Sequence, residues 1–405
     1  MLLGALLAEA TLQIATVIFP PVEARLSGLK PRYVSDPLLD VRGDSSLPEY
    51  DEGGFRNEQR PARASVVAIG DSQTEGSGVA RENAWPQQLA AARDMSVYQM
   101  AFGSYGPGHY LTLIGDALSL EPHTVVIGVY TGNDLAGAYE WVYDEGRNPE
   151  LRSPETDRIA DIEKAERERG PIDRPWRAAR DAERGLYGRP LLRWFRTHVE
   201  DRSKLVALFE QLRWWVRGLG ATLDLDEGPK DWGETLEVIS AAPHSVLFAY
   251  NDGIVRTVFT PEARLAAQDV GDARIREGLH LTLAMLERIA AECRGRARLL
   301  VLLIPTKELV FADRVMSQDR GIPSEFTVLV DRERNIREQI ETYLAERGIE
   351  TIDPLPEMCA LLAPQDGVRA VTNPYPETWD GHPVAPGYTA MTRAVAAAIS
   401  AAPPS

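Results

Sequence analysis

The sequence predicts an α/β fold built on a parallel sheet with helices on both faces. Three observations predict it: short apolar runs that stop at glycine or turn residues, stretches of helical spacing between them, and repeated alternation of the two. Residues 65–69 (Ser-Val-Val-Ala-Ile) stop at Gly70 and read as a buried strand, followed by helical spacing over 83–92. A second strand is expected over 97–101, a helix over 110–120 and a third strand over 124–130. Downstream the rhythm resumes with a helix over 272–293, a strand over 299–304, a helix over 332–346, a short strand over 350–352 and a last helix after Pro386.

A chain of 405 residues accommodates one large domain with insertions, or two to three ordinary ones. With 44% hydrophobic and 26% charged residues, the composition is that of a globular protein, which excludes wholesale disorder and a multi-span membrane protein. Lys plus Arg number 44 against 60 Asp plus Glu, a net charge of −16. Nucleic-acid binding needs a basic footprint, so nucleic acid is not an expected partner. The two cysteines, Cys293 and Cys359, are too few for a disulfide scaffold or a zinc site, and whether they pair is left open.

The chain divides into five stretches. Residues 1–22 are almost wholly apolar up to Pro20-Pro21, about the length needed to cross a bilayer, and read as an anchor or signal-like segment. That reading implies a membrane-anchored or exported protein. Glu9 interrupts the run and keeps a soluble amphipathic helix, and with it a cytoplasmic location, as the alternative. Residues 23–63 read as an extended linker or arm. Residues 64–134 and 262–400 carry the alternating pattern, and 135–261 lose it. This last stretch reads as a largely helical insertion rich in tryptophan (Trp194, Trp214, Trp215, Trp232), serving as a lid, a binding platform or simply an auxiliary core.

The chemistry-bearing residues fall at the ends of the expected strands, the edge where open α/β sheets bind ligands. The first strand runs into Gly70-Asp71-Ser72, which places the Ser72 hydroxyl at that edge. The second is followed by Gly103-Ser104-Tyr105-Gly106, a turn whose main-chain N–H groups are free to face a cleft, and the third by Gly132-Asn133-Asp134, where an Asn amide is suited to meet a developing oxyanion. Near the C-terminus Asp380-Gly381-His382 sets a carboxylate beside an imidazole. His382 is the candidate general base and Asp380 the group that holds its tautomer, with Glu377 in reserve; the other five histidines have no carboxylate at local spacing. Asn251-Asp252-Gly253 reads as a turn. Lys307, after the strand at 299–304, either reaches a substrate carboxylate or positions the insertion.

In order and spacing, the Ser72, Gly103, Asn133 and His382 blocks resemble the SGNH/GDSL hydrolase family over residues 64–134 and 296–400. With the apolar N-terminal segment and the Asp51–Arg56 arm, the chain is similar to membrane-associated bacterial members related to polysaccharide O-acetyltransferases. The resemblance implies a three-layer α/β/α sandwich of flavodoxin-like topology. It also implies a serine acyl-enzyme mechanism: Ser72 as nucleophile, His382 as base, Asp380 as its orienter, and an oxyanion hole of the Ser72 N–H, Asn133 and a second-block N–H. Gly103 and Ser104 compete for that last place, with Gly103 preferred. The sequence departs from the usual family pattern in placing Asp two residues before the histidine where many members have it three before. Asp71, Ser104 and Lys307 are candidate substrate contacts.

The expected function is therefore a serine esterase or O-acyltransferase acting on a short acyl ester, with carbohydrate as the expected substrate or partner. No metal and no organic cofactor is required for acyl transfer through serine. The alternative is a non-catalytic carbohydrate-binding or polysaccharide-assembly protein that uses the same fold and the tryptophan-rich insertion.

Overall fold

The computed structural model describes residues 2–18, 33–183, 189–195, 203–205, 208, 232–318, 321–363 and 371–401. The expected Trp214 and Trp215 platform and His198 lie outside the described residues. Nine strands are present among them. They are β1 (Tyr33–Asp36), β2 (Asp40–Gly43), β3 (Val66–Gly70), β4 (Val97–Ala101), β5 (Thr124–Tyr130), β6 (Phe248–Asn251), β7 (Arg256–Phe259), β8 (Arg298–Ile304) and β9 (Glu350–Ile352). Five of them form one parallel sheet in the order β4-β3-β5-β8-β9, while β1–β2 and β6–β7 are antiparallel hairpins.

Within the sheet, the apolar runs sort by parity because successive side chains point to opposite faces. Val67, Ile69, Val125, Ile127, Val129, Val301 and Leu303 enter one core with the helices Pro107–Ser119 and Ala273–Cys293. Val66, Ala68, Val126, Leu300, Leu302 and Ile304 enter the other, against the helices Trp85–Arg93, Lys307–Met316 and Ala385–Ser400. Both faces are thus covered, as the unbroken apolar runs require, and each fully buried branched side chain contributes roughly 1.5–3 kcal/mol. Renumbered within the sheet, the strand order is 2-1-3-4-5, whose switch point lies between β3 and β5. The α/β/α sandwich of flavodoxin-like topology is what the structure shows.

The arm is not a free linker. Leu39, Tyr50 and Phe55 are buried in the first core, and Asn57 pairs with the main chain of Gln99 on the edge strand β4, donating to its carbonyl (2.9 Å) and accepting from its N–H (3.1 Å). Arg56 donates to the carbonyls of Gly76 (2.7 Å) and Val79 (2.7 Å), tying the arm to the loop after β3.

Within the insertion, the helices Thr156–Arg169, Arg174–Glu183 and Trp232–Ile239 are joined by the β6–β7 hairpin, which was not expected. Its turn is Asn251-Asp252-Gly253, with Gly253 at φ +84° and its N–H donated to Asn251 Oδ1 (2.9 Å).

The N-terminal helix, Leu2–Ile18, has 17 residues and a length of about 25 Å, short of the ~30 Å hydrocarbon core. No helix among the described residues is long and apolar enough to cross a membrane. Glu9, the residue that interrupts the apolar run, accepts hydrogen bonds from the N–H groups of Lys204 (3.0 Å) and Leu205 (2.9 Å) and from Ser203 Oγ (2.8 Å).

Candidate active site

Ser72 is the first residue of the short helix Ser72–Glu75, which starts where β3 ends. Asp71 caps that helix by accepting the Gln73 N–H (2.9 Å), and Gly76 closes it at φ +80° with its N–H donated to the Ser72 carbonyl. This sharp strand-to-helix turn leaves Ser72 half-buried at the carboxyl edge of the sheet, beside the switch point.

His382 arrives from the loop before the last helix and lies 310 residues away in sequence. Its Nε2 is 2.8 Å from Ser72 Oγ, and its Nδ1 is 2.6 Å from Asp380 Oδ1. The same Asp380 oxygen accepts the His382 main-chain N–H (3.0 Å), which fixes the carboxylate beside the ring. With the Nδ1–H donated to Asp380, Nε2 is the acceptor for the Ser72 hydroxyl proton. Burial would raise the Asp380 carboxyl, but its hydrogen bond to His382, the charge interaction with that ring and the Lys307 cation hold it below the usual aspartate value.

Asn133 follows β5 and is half-buried. One of its Nδ2 hydrogens goes to Asp71 Oδ2 (3.3 Å), and an amide NH₂ has a second hydrogen to donate. The turn is fixed from below by Asp134, which accepts the Tyr130 N–H (3.0 Å) and the Tyr110 hydroxyl (3.2 Å). Burial and the neighbouring Asp71 charge push the Asp134 carboxyl well up. Burial likewise raises Asp71 to about 6, against the opposing Gln73 N–H, His382 and Asn133.

Three sequence expectations are revised by this geometry. Asp71 is fully buried, caps the helix Ser72–Glu75 and holds Asn133, so its carboxylate is not presented to a substrate. Lys307 is only 1% exposed and donates to main-chain carbonyls of the Asp380 loop, so it is no substrate contact either. The Gly103 N–H, expected to face the oxyanion, is donated to Glu75 Oε2 (2.9 Å). Ser104, its competitor, is exposed at φ +79°, a left-handed backbone that few non-glycine residues adopt.

Sequence reasoning passed over the residues that bind these parts together. Glu75 is buried beside Gly103 and also accepts from Ser77 Oγ (3.3 Å). Buried Glu333 accepts from Thr131 Oγ1 (2.8 Å) and from the Thr306 N–H (2.8 Å), tying the end of β5 to the end of β8. Gln73 donates to the Gly381 carbonyl (3.2 Å), joining the Ser72 turn to the His382 loop. Arg264, buried between the rings of Trp176 (4.2 Å) and Tyr130 (5.1 Å), donates to the Gly132 carbonyl (3.3 Å). The signal available beforehand was charge inside apolar or glycine-rich context, as at Glu75 between Thr74 and Gly76. Of the other histidines, His109 finds a distant carboxylate, with Asp40 Oδ2 3.6 Å from Nε2, and packs between Tyr105 and Trp141; burial lowers it to about 4. Both cysteines are free thiols.

Three solved structures are similar to this chain. One is a lipolytic protein of the G-D-S-L family from Desulfitobacterium hafniense (14% identity, covering 82% of this chain and 97% of that one, TM-score 0.32). Another is an extracellular lipase from Streptomyces rimosus (12% identity, 84% and 99%, TM-score 0.38). The third is described as an acylhydrolase from Bacteroides fragilis (14% identity, 88% and 91%, TM-score 0.31). No protein-family model and no curated protein matches the chain. With TM-scores below 0.5, these likenesses carry no functional weight, and the chemistry is read from the site's own geometry.

Proposed function

We propose that the chain is a serine esterase or O-acyltransferase of the SGNH type that works through an acyl-enzyme. One observation carries this reading: Ser72, His382 and Asp380 stand in line, with heavy-atom separations of 2.8 and 2.6 Å, at the ligand-binding edge of the sheet. Ser72 Oγ attacks the acyl carbonyl while His382 Nε2 takes its proton. The tetrahedral oxyanion is held by the Ser72 N–H and the second Asn133 Nδ2–H. His382 then returns the proton to the departing alkoxide, leaving the acyl group on Ser72. Water or a sugar hydroxyl, deprotonated by His382, repeats the attack and frees the serine.

A short acyl group on a carbohydrate is part of the proposal and rests on the resemblance to polysaccharide-modifying members; a location at or beyond the membrane rests on the same ground. The test is labelling of purified protein by a fluorophosphonate probe, with Ser72→Ala and His382→Ala as controls, followed by p-nitrophenyl acetate turnover. Labelling lost in both variants is the expected result. A folded wild type that neither labels nor turns over the ester overturns the reading. Acetate release compared with acetyl transfer to an oligosaccharide, from one donor, then separates hydrolase from transferase.

A further inference from the structure

We propose that Lys307 is a positioning residue for the acid–base loop, holding the main chain of residues 376–380 so that Asp380 meets His382. The inference rests on the esterase reading above and adds a residue that neither touches substrate nor belongs to the relay. Lys307 opens the helix Lys307–Met316 just after β8, and its base is rigid: Thr306 caps the helix by accepting the Leu309 N–H (3.2 Å), and Glu333 grips the Thr306 N–H (2.8 Å). From there the side chain passes between Phe259 and Tyr375, each ring centre 5.9 Å from Nζ. The ammonium ends among three carbonyls of one loop, donating to Thr378 (2.6 Å), Asp380 (3.1 Å) and Pro376 (3.4 Å).

Three donors meeting three acceptors is a match that only a protonated lysine provides, because a neutral amine has two hydrogens. The loop has a second set of holds from β7 of the insertion. Thr257 Oγ1 donates to the Pro376 carbonyl (2.9 Å), the Val258 N–H to the Thr378 carbonyl (3.4 Å), and Arg256 pairs with Glu377 (2.6 Å). Trp379 packs against the insertion's own core beside Trp176 and Trp232. These contacts fix the loop at residues 376–379, whereas Lys307 alone among them reaches Asp380 itself.

Charge adds to position. The charged groups around the ammonium are Asp380, Glu308 from its own helix and Arg264 from the helix Pro261–Ala267; burial lowers Lys307 to about 7, with Arg264 adding to that and the two carboxylates opposing it. The cation in turn favours ionised Asp380. Without it, the Asp380–His382 pair holds its proton to higher pH, so the acid limb of the activity profile moves up.

The experiment compares wild type with Lys307→Met, which keeps the length and loses donors and charge, and Lys307→Arg, which keeps both. Fluorophosphonate labelling of wild type comes first; its absence sinks the esterase reading, whatever the variants do. With wild type labelled, Lys307→Met is expected to lose at least tenfold in kcat for p-nitrophenyl acetate with KM within twofold, and to show an acid limb displaced to higher pH. Lys307→Arg is expected to recover part of the rate. Should Lys307→Met fail to fold by circular dichroism, Lys307→Gln takes its place. A folded Met or Gln variant within twofold of wild type at an unchanged acid limb overturns the inference, as does an Arg variant no better than the uncharged one.

Discussion

Replacing Asp380 by asparagine removes one charge and keeps the side chain's shape. At an effective dielectric of about 20, opposite charges ~4 Å apart attract by about 4 kcal/mol. The two side chains are 42% and 29% exposed, so solvent screening reduces that to about 2 kcal/mol. If the asparagine keeps Oδ1 toward the His382 N–H and the ring, only the charge is lost, and the imidazolium formed during attack is less stable by that amount, a factor of roughly 30 in rate. If the amide turns its NH₂ toward Nδ1, the ring is held in the wrong tautomer and the loss approaches ~10⁴. The assay is kcat/KM for p-nitrophenyl acetate across pH, with circular dichroism to confirm the fold. Because the negative charge favours the protonated ring, its removal moves the acid limb to lower pH, opposite to the direction expected for Lys307→Met. A folded Asp380→Asn enzyme within threefold of wild type refutes the assignment of Asp380 as the orienting group.

Asn133→Ala should lower kcat by about 10²–10³ with KM little changed, since one oxyanion donor is removed; a loss below threefold in steady-state assays argues that Asn133 is no donor. Asp71 keeps its proton in the fold up to about 6, whereas the unfolded chain releases it near 3.8, so the folded state binds more protons between those values and loses stability as pH rises through them. Relative to Asp71→Asn, wild type should therefore lose on the order of 3 kcal/mol between pH 4 and 7 in urea denaturation; a gap that does not change with pH contradicts the burial argument. A Cβ at Gly278, in the helix Ala273–Cys293, would collide with the carbonyl of Leu135, in the helix Asp134–Tyr139, so Gly278→Ala should destabilise the fold by about 3 kcal/mol and disturb the Asn133 turn; an unaltered urea midpoint would show that the two helices separate freely.

The parallel sheet was legible because most of its strands are buried, so Val97–Ala101 and Thr124–Tyr130 appear as largely apolar runs; the edge strand Glu350–Ile352, exposed at Glu350, also falls at the expected place. The β6–β7 hairpin was not legible, because its short strands split between two cores: Phe248, Tyr250 and Phe259 pack with Phe311 and Phe326 in the second core, whereas Ala249 and Val258 face the core of the insertion. Ser72, Asn133, Asp380 and His382 stand out from strand ends and local spacing; the structure joins Ser72, His382 and Asp380 by hydrogen bonds and ties Asn133 to Asp71, next to Ser72. Gly103 was nominated for its backbone freedom, yet the direction of its N–H is set by Glu75, a tertiary contact that spacing does not encode. Lys307 shows the same limit: an exposed lysine and a buried one read alike until the loop that covers it is placed.

The 310 residues between Ser72 and His382 also bear on synthesis. Ser72 and Asn133 sit on the ends of strands that are made early, whereas His382 follows the last strand of the sheet, beside a loop clasped by β7 and by Lys307. A ribosome-bound chain carries Ser72 through the synthesis of the whole sheet before His382 is added. On the esterase reading, the Ser72–His382 contact of 2.8 Å is therefore made only after the whole sheet has been synthesised.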